Sequence, residues 1–150
     1  MRIFASLSEL QPLVGQEIAV SDWITVSQER IRQFAEATGD HQWIHLDVER
    51  AKGGPFGTTI AHGFLTLSLL PEMSASAFAV EGTRMGVNYG LDRVRFPAPV
   101  PSGSRLRGRF RLLAYEPLEG GAQLKVEVTM QREGSDKPVC VAESLARRYV

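Results

Sequence analysis

The sequence predicts an α+β protein: a curved antiparallel sheet, one face polar, wrapped around a single long apolar helix. Three observations predict it. A stretch from about Ala61 to Val80 is apolar nearly all round at helical spacing, the chain beyond it alternates apolar and polar residues, and turn residues bound the alternating runs. At 150 residues the chain suits one domain, 1–150, with a core of its own.

The first clear element is a helix over "QERIRQFAEAT". Ser27 is placed to cap it, Ile31, Phe34, Ala35 and Thr38 share a face, and Gly39 suits the left-handed turn that ends it. "ATGDHQWIHLD" is therefore launched directly off a helix end. Asp47 can cap a short turn, "VERAK", before "GGPFG" forces a loop.

The central helix is expected to begin near Ala61 or His62 and run to about Val80, with Pro71 kinking or splitting it. Being apolar nearly all round, it must be covered on most sides. The C-terminal half then reads as strands. Leu106, Gly108, Phe110 and Leu112 alternate with Arg105, Arg107, Arg109 and Arg111; Leu124, Val126, Val128 and Met130 alternate with Lys125, Glu127, Thr129 and Gln131. "EPLEGGAQ" supplies a hairpin turn between them, and "RMGVNYG" with "LDRVRF" and "PVCVAESLARRYV" supply further strands.

Composition excludes several function classes. Seventeen basic residues cancel seventeen acidic ones, so no global field recruits nucleic acid or an acidic membrane, and neither partner is expected. Cys140 is the only cysteine, which excludes an internal disulfide and suits a reducing compartment. The opening "MRIFASLSELQPLVG" has no signal-peptide core, and "GFLTLSLLPEMSASAFAV" is interrupted by Ser, Thr, Pro and Glu, as a membrane span is not. A cytoplasmic protein is expected.

The chemistry concentrates in Asp40, His41, His45 and Asp47. With His62 as the remaining imidazole, a metal site is conceivable, yet His41 and His45 would share a face only on a helix and Gly39 has just ended one; no metal is expected. The bland alternative is that the two aspartates cap turns while His45 is a satisfied interior histidine. A second segment, "FGTTIAHGFLTL", shifts the balance towards chemistry. It leads a small-residue loop into the N-terminus of the apolar helix, whose free N–H groups suit an oxygen gaining negative charge, and Gly63 lets a ligand approach closely. Close packing of Gly63 against a strand is the competing explanation.

"FAEATGDHQWIHLDVERA" followed by "GPFGTTIAHGFLTLSLLP" resembles the hydratase motif of the MaoC-like family, which includes (R)-specific enoyl-CoA hydratases and a nodulation-protein-N-like branch. The family pattern is a helix ending in Gly-Asp, four residues, then His, with Ala-His-Gly opening the central helix; here these are Asp40, His45 and Ala61-His62-Gly63. Where many relatives have Asn-Pro this chain has Gln42-Trp43, as in the nodulation-protein-N-like branch. The resemblance implies a hot-dog fold, a homodimer and an acyl-CoA or acyl-carrier-protein thioester as substrate, with no cofactor.

It further implies a hydratase/dehydratase of fatty acid metabolism interconverting trans-2-enoyl-CoA and (R)-3-hydroxyacyl-CoA. Asp40 and His45 would together hold the water and share its proton, Asp40 being the favoured base with the division of roles open, and the N–H of Gly63 would hold the thioester oxygen. His62, Asn88 and Tyr89 are the remaining candidate substrate-binding residues. Trp43 is expected to pack near the site and His41 to face solvent. The arginine stripe reads as a solvated sheet face; Arg93, Arg95 and Lys52 are the candidates for CoA phosphates. Two alternatives stand beside this reading. One is a hot-dog thioesterase using Glu72. The other is a non-catalytic acyl-thioester-binding module, which the Gln42-Trp43 departure keeps open.

Overall fold

Capping chemistry sets the first helix. In the computed structural model, which describes residues 1–150, α1 spans Gln28–Thr38, the Ser27 side chain accepts from the Arg30 N–H, and Gly39 ends the helix at φ 82°. Only glycine adopts that left-handed turn without strain. Two short helices follow, α2 (Trp43–Leu46) and α3 (Val48–Lys52). Asp47 caps α3 by accepting from the Arg50 N–H at 3.0 Å.

The central helix is split, as Pro71 allowed. α4 covers Gly63–Ser68 and α5 covers Leu70–Ala77, with Leu69 between them. A proline cannot donate the bond that would tie this turn to the one before, so it sits in the first turn of a new helix instead. The expected end at Val80 is too late, because Phe78–Val80 is already a strand, β4. It pairs in parallel with β1, Arg2–Phe4.

The sheet is built from β2 (Glu17–Val20), β3 (Ile24–Val26), β5 (Met85–Arg95), β6 (Ser104–Leu118), β7 (Gly121–Arg132) and β8 (Cys140–Tyr149). Its order is β2-β6-β7-β8-β5, with β3 also pairing β6, and every pairing in it is antiparallel. The expected hairpin joins β6 to β7 through Glu119 and Gly120, the latter at φ 71°.

Alternation decides which face is buried. Leu106, Phe110, Leu112, Leu124, Val128 and Met130 are nearly inaccessible and close on Leu65, Leu69, Met73 and Ala77 of the helices. Gly108 sits in the inward row because Met73 takes the space; a Cβ there would lie 3.1 Å from its Sδ. The outward arginines are paired much as a solvated face requires. Arg105 binds Glu133, Arg107 binds Gln131, Arg109 binds Glu17 and Arg111 donates to the Gly15 carbonyl. Cys140 is fully buried, and that burial pushes its thiol up to about 11. No helix is long and apolar enough to cross a membrane.

Candidate active site

The Gly39 turn brings Asp40 in front of α2, where it forms a local turn: its Oδ1 accepts from the Gln42 N–H at 3.3 Å. The other carboxylate oxygen, Oδ2, lies 4.0 Å from Nε2 of His45. Asp40 is about half exposed, whereas the His45 side chain is buried.

Backbone atoms determine the His45 tautomer. Its Nδ1 is 2.7 Å from the Ile60 carbonyl oxygen, which can only accept, so Nδ1 carries the proton. Nε2 of the neutral ring is then an acceptor facing Asp40. Burial, the largest influence, holds the pKa of His45 below the ordinary histidine value; the Ile60 bond opposes it and His62 adds to it. Two acceptors 4.0 Å apart cannot bond to each other, but a water about 2.8 Å from each can donate one hydrogen to each.

His62 completes the cluster. It is the residue preceding α4, is almost wholly buried, and stacks on His45 with ring centroids 3.8 Å apart and planes inclined by 26°. Its Nε2 donates to the Asp40 carbonyl oxygen at 3.0 Å, which leaves the buried Nδ1 without a partner. Phe34 of α1 lies against its other side at 5.0 Å. Expected as a substrate-binding candidate, His62 braces the segment that carries Asp40 through this bond.

Asp40, His45 and His62 bring potential ligand atoms within 4.8 Å of one another. Their geometry suits water better than a metal ion. Imidazole lone pairs lie in the ring plane, and two stacked planes direct them side by side rather than to one point; His45 Nδ1 and His62 Nε2 are also spent on carbonyls. His41 does not join them. It is exposed and its Nδ1 points towards Glu36 at 4.0 Å.

Gly63 opens α4 directly after His62, and its N–H has no acceptor within the chain. A Cβ on Gly63 would lie 3.1 Å from the Phe96 ring, so both explanations offered for this glycine apply at once: it is a close-packing position and a free donor. A cavity of about 280 Å³ lies beside it, bounded by Phe56, Ile60, Thr66, Phe96 and Val139.

The remaining candidates separate. Asn88 of β5 lines cavities alongside the helices, while its neighbour Tyr89 lies beneath the Arg147 guanidinium, 3.6 Å from its ring centroid. The strand register shifts between Asn88 and Gly90, at Tyr89, and the ring goes to Arg147 and is not brought to Asp40 and His45. Trp43 packs under Arg50, at 4.1 Å, and against Gly54. Lys52 is tied to Glu49, and Arg95 folds onto the Val94 carbonyl. Glu72 is ion-paired with Arg30 on the surface.

Gln28 was not apparent from the sequence. In the first turn of α1, its amide donates to the His45 carbonyl at 2.8 Å while its oxygen accepts from the Thr59 hydroxyl at 2.5 Å. It clips together the two segments that carry the site, yet a glutamine in a helix's first turn looks like any solvated one.

Comparison with known proteins identifies the family and the fold. Residues 9–134 match the family described as MaoC like domain. The chain is 53% identical over 148 residues to 3-hydroxyacyl-thioester dehydratase Z of Mycobacterium tuberculosis (strain ATCC 25618 / H37Rv), covering 98% of each chain. It is 50% identical over 141 residues to nodulation protein N of Rhizobium leguminosarum bv. viciae, covering 91% of this chain and 87% of the relative. Among solved structures, the MaoC-like dehydratase from Rhodospirillum rubrum superposes with a TM-score of 0.78 at 22% identity, covering 96% of each chain. The unliganded R-hydratase PhaJ1 from Pseudomonas aeruginosa does so at 0.73 and 24%, covering 97% of this chain and 86% of that one. These likenesses show the fold to be a hot-dog fold.

Proposed function

Because the chain belongs to the MaoC-like domain family, we propose that it is a hydratase/dehydratase interconverting trans-2-enoyl and (R)-3-hydroxyacyl thioesters of CoA or an acyl carrier protein. The observation that carries this reading is the pair of acceptors, Asp40 Oδ2 and His45 Nε2, held 4.0 Å apart and joined by His62, which stacks on His45 and bonds the Asp40 carbonyl, with the free N–H of Gly63 next to it in the chain. The dehydratase relative's name points to the same substrate class.

The chemistry follows from three needs. Water must lose a proton as its oxygen bonds to C3, the thioester oxygen must be held as it gains enolate charge, and C2 must receive a proton. His45 Nε2 and Asp40 orient the water. Asp40 takes the proton as the C3–O bond forms, the Gly63 N–H holds the developing oxyanion, and the protonated Asp40 delivers to C2 as the enolate collapses. Dehydration is the same path reversed. Positioned acid/base groups commonly supply about 10²–10⁴-fold, and one oxyanion donor about 3–4 kcal/mol.

Incubation with crotonyl-CoA tests the reading. Loss of enoyl absorbance without free thiol is the expected result. Thiol release would instead indicate a thioesterase, and binding without either signal a non-catalytic module. The surface ion pair of Glu72 with Arg30 speaks against the thioesterase, which would need that carboxylate free near the substrate.

A homodimer belongs to the same proposal. β5 is an edge strand of 11 residues with Met85, Val87, Tyr89 and Leu91 exposed, and Phe64 at the start of the central helix is 74% exposed. An uncovered apolar edge of this length invites a second copy of the strand. Light scattering should give twice the chain mass, and Val87→Lys should lower it.

A further inference from the structure

Two adjoining cavities lie further along the central helix than the one at Gly63, and share no lining residue with it. The first, about 320 Å³, is bounded by Leu67, Ser68 and Leu91; the second, about 260 Å³, reaches Ser74, Gly86 and Arg148; both touch Leu70, Pro71, Asn88 and Ser144. Their origin is in the sequence. The inward row of β8 runs Cys140, Ala142, Ser144, Ala146, Arg148, and β5 contributes Gly86, Asn88 and Gly90. Small side chains on two strands leave a channel between sheet and helix.

Arg148 is out of place in that row. Its Nε is fully buried without a hydrogen-bond partner, and no carboxylate pairs with its guanidinium. Several other cations are paired with carboxylates, Arg105 with Glu133, Arg109 with Glu17, and Lys125 with Asp92 and Glu143; Arg132 Nε is likewise buried without a partner, but only Arg148 of the two borders these cavities. Burial disfavours the charged form of Arg148, lowering its pKa from the ordinary arginine value. A cation taken partly out of water with no counter-charge is destabilising, and an apolar residue of similar volume would fill the position better. An anion brought into the cavity would find this guanidinium without a competing carboxylate.

We propose that this cavity is the far end of the acyl channel and that Arg148 receives a carboxylate at the ω end of the chain, making ω-carboxyacyl thioesters the substrates. The inference rests on the acyl-thioester reading of the Asp40 site. Leu70 and Ser74, which border the cavity, follow Gly63 by lengths of helix corresponding to about 10 and 16 Å. A planar guanidinium at that depth matches a carboxylate through two parallel bonds.

The test uses saturated thioesters, which bind without reacting. Affinities of an ω-carboxyacyl-CoA and the methyl-ended acyl-CoA of equal length are measured calorimetrically on the wild-type protein, Arg148→Met and Arg148→Lys. The wild type should favour the carboxylate by about 10- to 100-fold, Arg148→Met should lose that preference, and Arg148→Lys should keep part of it. Equal or reversed affinities in the wild type overturn the inference, whether or not the variants fold. Hydration of the matching enoyl-CoAs is followed separately. A binding preference without turnover sinks the hydratase reading alone; turnover without preference sinks only the role of Arg148.

Discussion

The ring of His62 lies flat on that of His45, centroids 3.8 Å apart, while its Nε2 holds the backbone carbonyl of Asp40. One buried side chain thus touches both partners of the water site. Replacing His62 with Phe keeps a ring in the stack and removes the bond to Asp40. The expected result is a fall in kcat of about tenfold with KM little changed, and a stability loss of about 1–3 kcal/mol from the orphaned carbonyl. Steady-state kinetics beside a thermal melt decides it; unchanged kcat would mean that His62 only fills space.

Asp40→Asn and His45→Gln should each lower kcat by about 10²–10⁴-fold while leaving acyl-CoA binding in place. Groups that act on one water molecule fail together, so the double variant should be scarcely worse than the poorer single one. Additive losses, or wild-type rates in both single variants, would remove these residues from the chemistry.

Gly63→Ala places a methyl group 3.1 Å from the Phe96 ring, tighter than a comfortable contact, at the mouth of the site. Turnover should drop by about tenfold or more, consistent with a misdirected oxyanion donor. Shortening the obstacle, in Gly63→Ala with Phe96→Ala, should recover most of it. Failure to recover would locate the damage in the entry of the substrate.

The depressed pKa of His45 has a definite sign. The unfolded chain takes up the proton first as pH falls below about 6.5, the ordinary histidine value, so the folded state loses stability from there down to the lower folded pKa. Above that window the contribution is complete. Activity should follow the folded value, since protonated His45 no longer accepts at Nε2. The acid limb of kcat/KM should therefore lie below pH 6.5, and melting temperatures should fall across the same range; a limb above 6.5 would contradict a buried neutral imidazole.

Much of this was legible before any coordinates. Ser27, Gly39 and Asp47 act through local rules, and the structure places them as caps and terminator as their chemistry required. The alternation of β6 and β7 is long enough to identify both the strands and their buried face. Asp40 and His45 stood out only together with the second segment, Ala61-His62-Gly63, since the cluster alone reads equally as capped turns and an interior histidine. By contrast, β1, β2, β3 and β4 have 3 or 4 residues each, too few for a period of two to show, and the N-terminal half had read as helix and loop. The orientation of His62, the clip made by Gln28 and the outward turn of Tyr89 depend on partners distant in the chain, to which no local pattern points.

The interruption at Leu69 divides labour along the molecule's axis. The half before it carries Gly63 and follows directly on His62, which braces the Asp40 segment; the half from Pro71 onward borders the cavities that reach Arg148. Since no unbroken run of helical bonds joins them, substitutions in the second half can re-tune which acyl tails are admitted while the water-handling end keeps its shape. Divergence in diet without divergence in reaction is what such a hinge point permits.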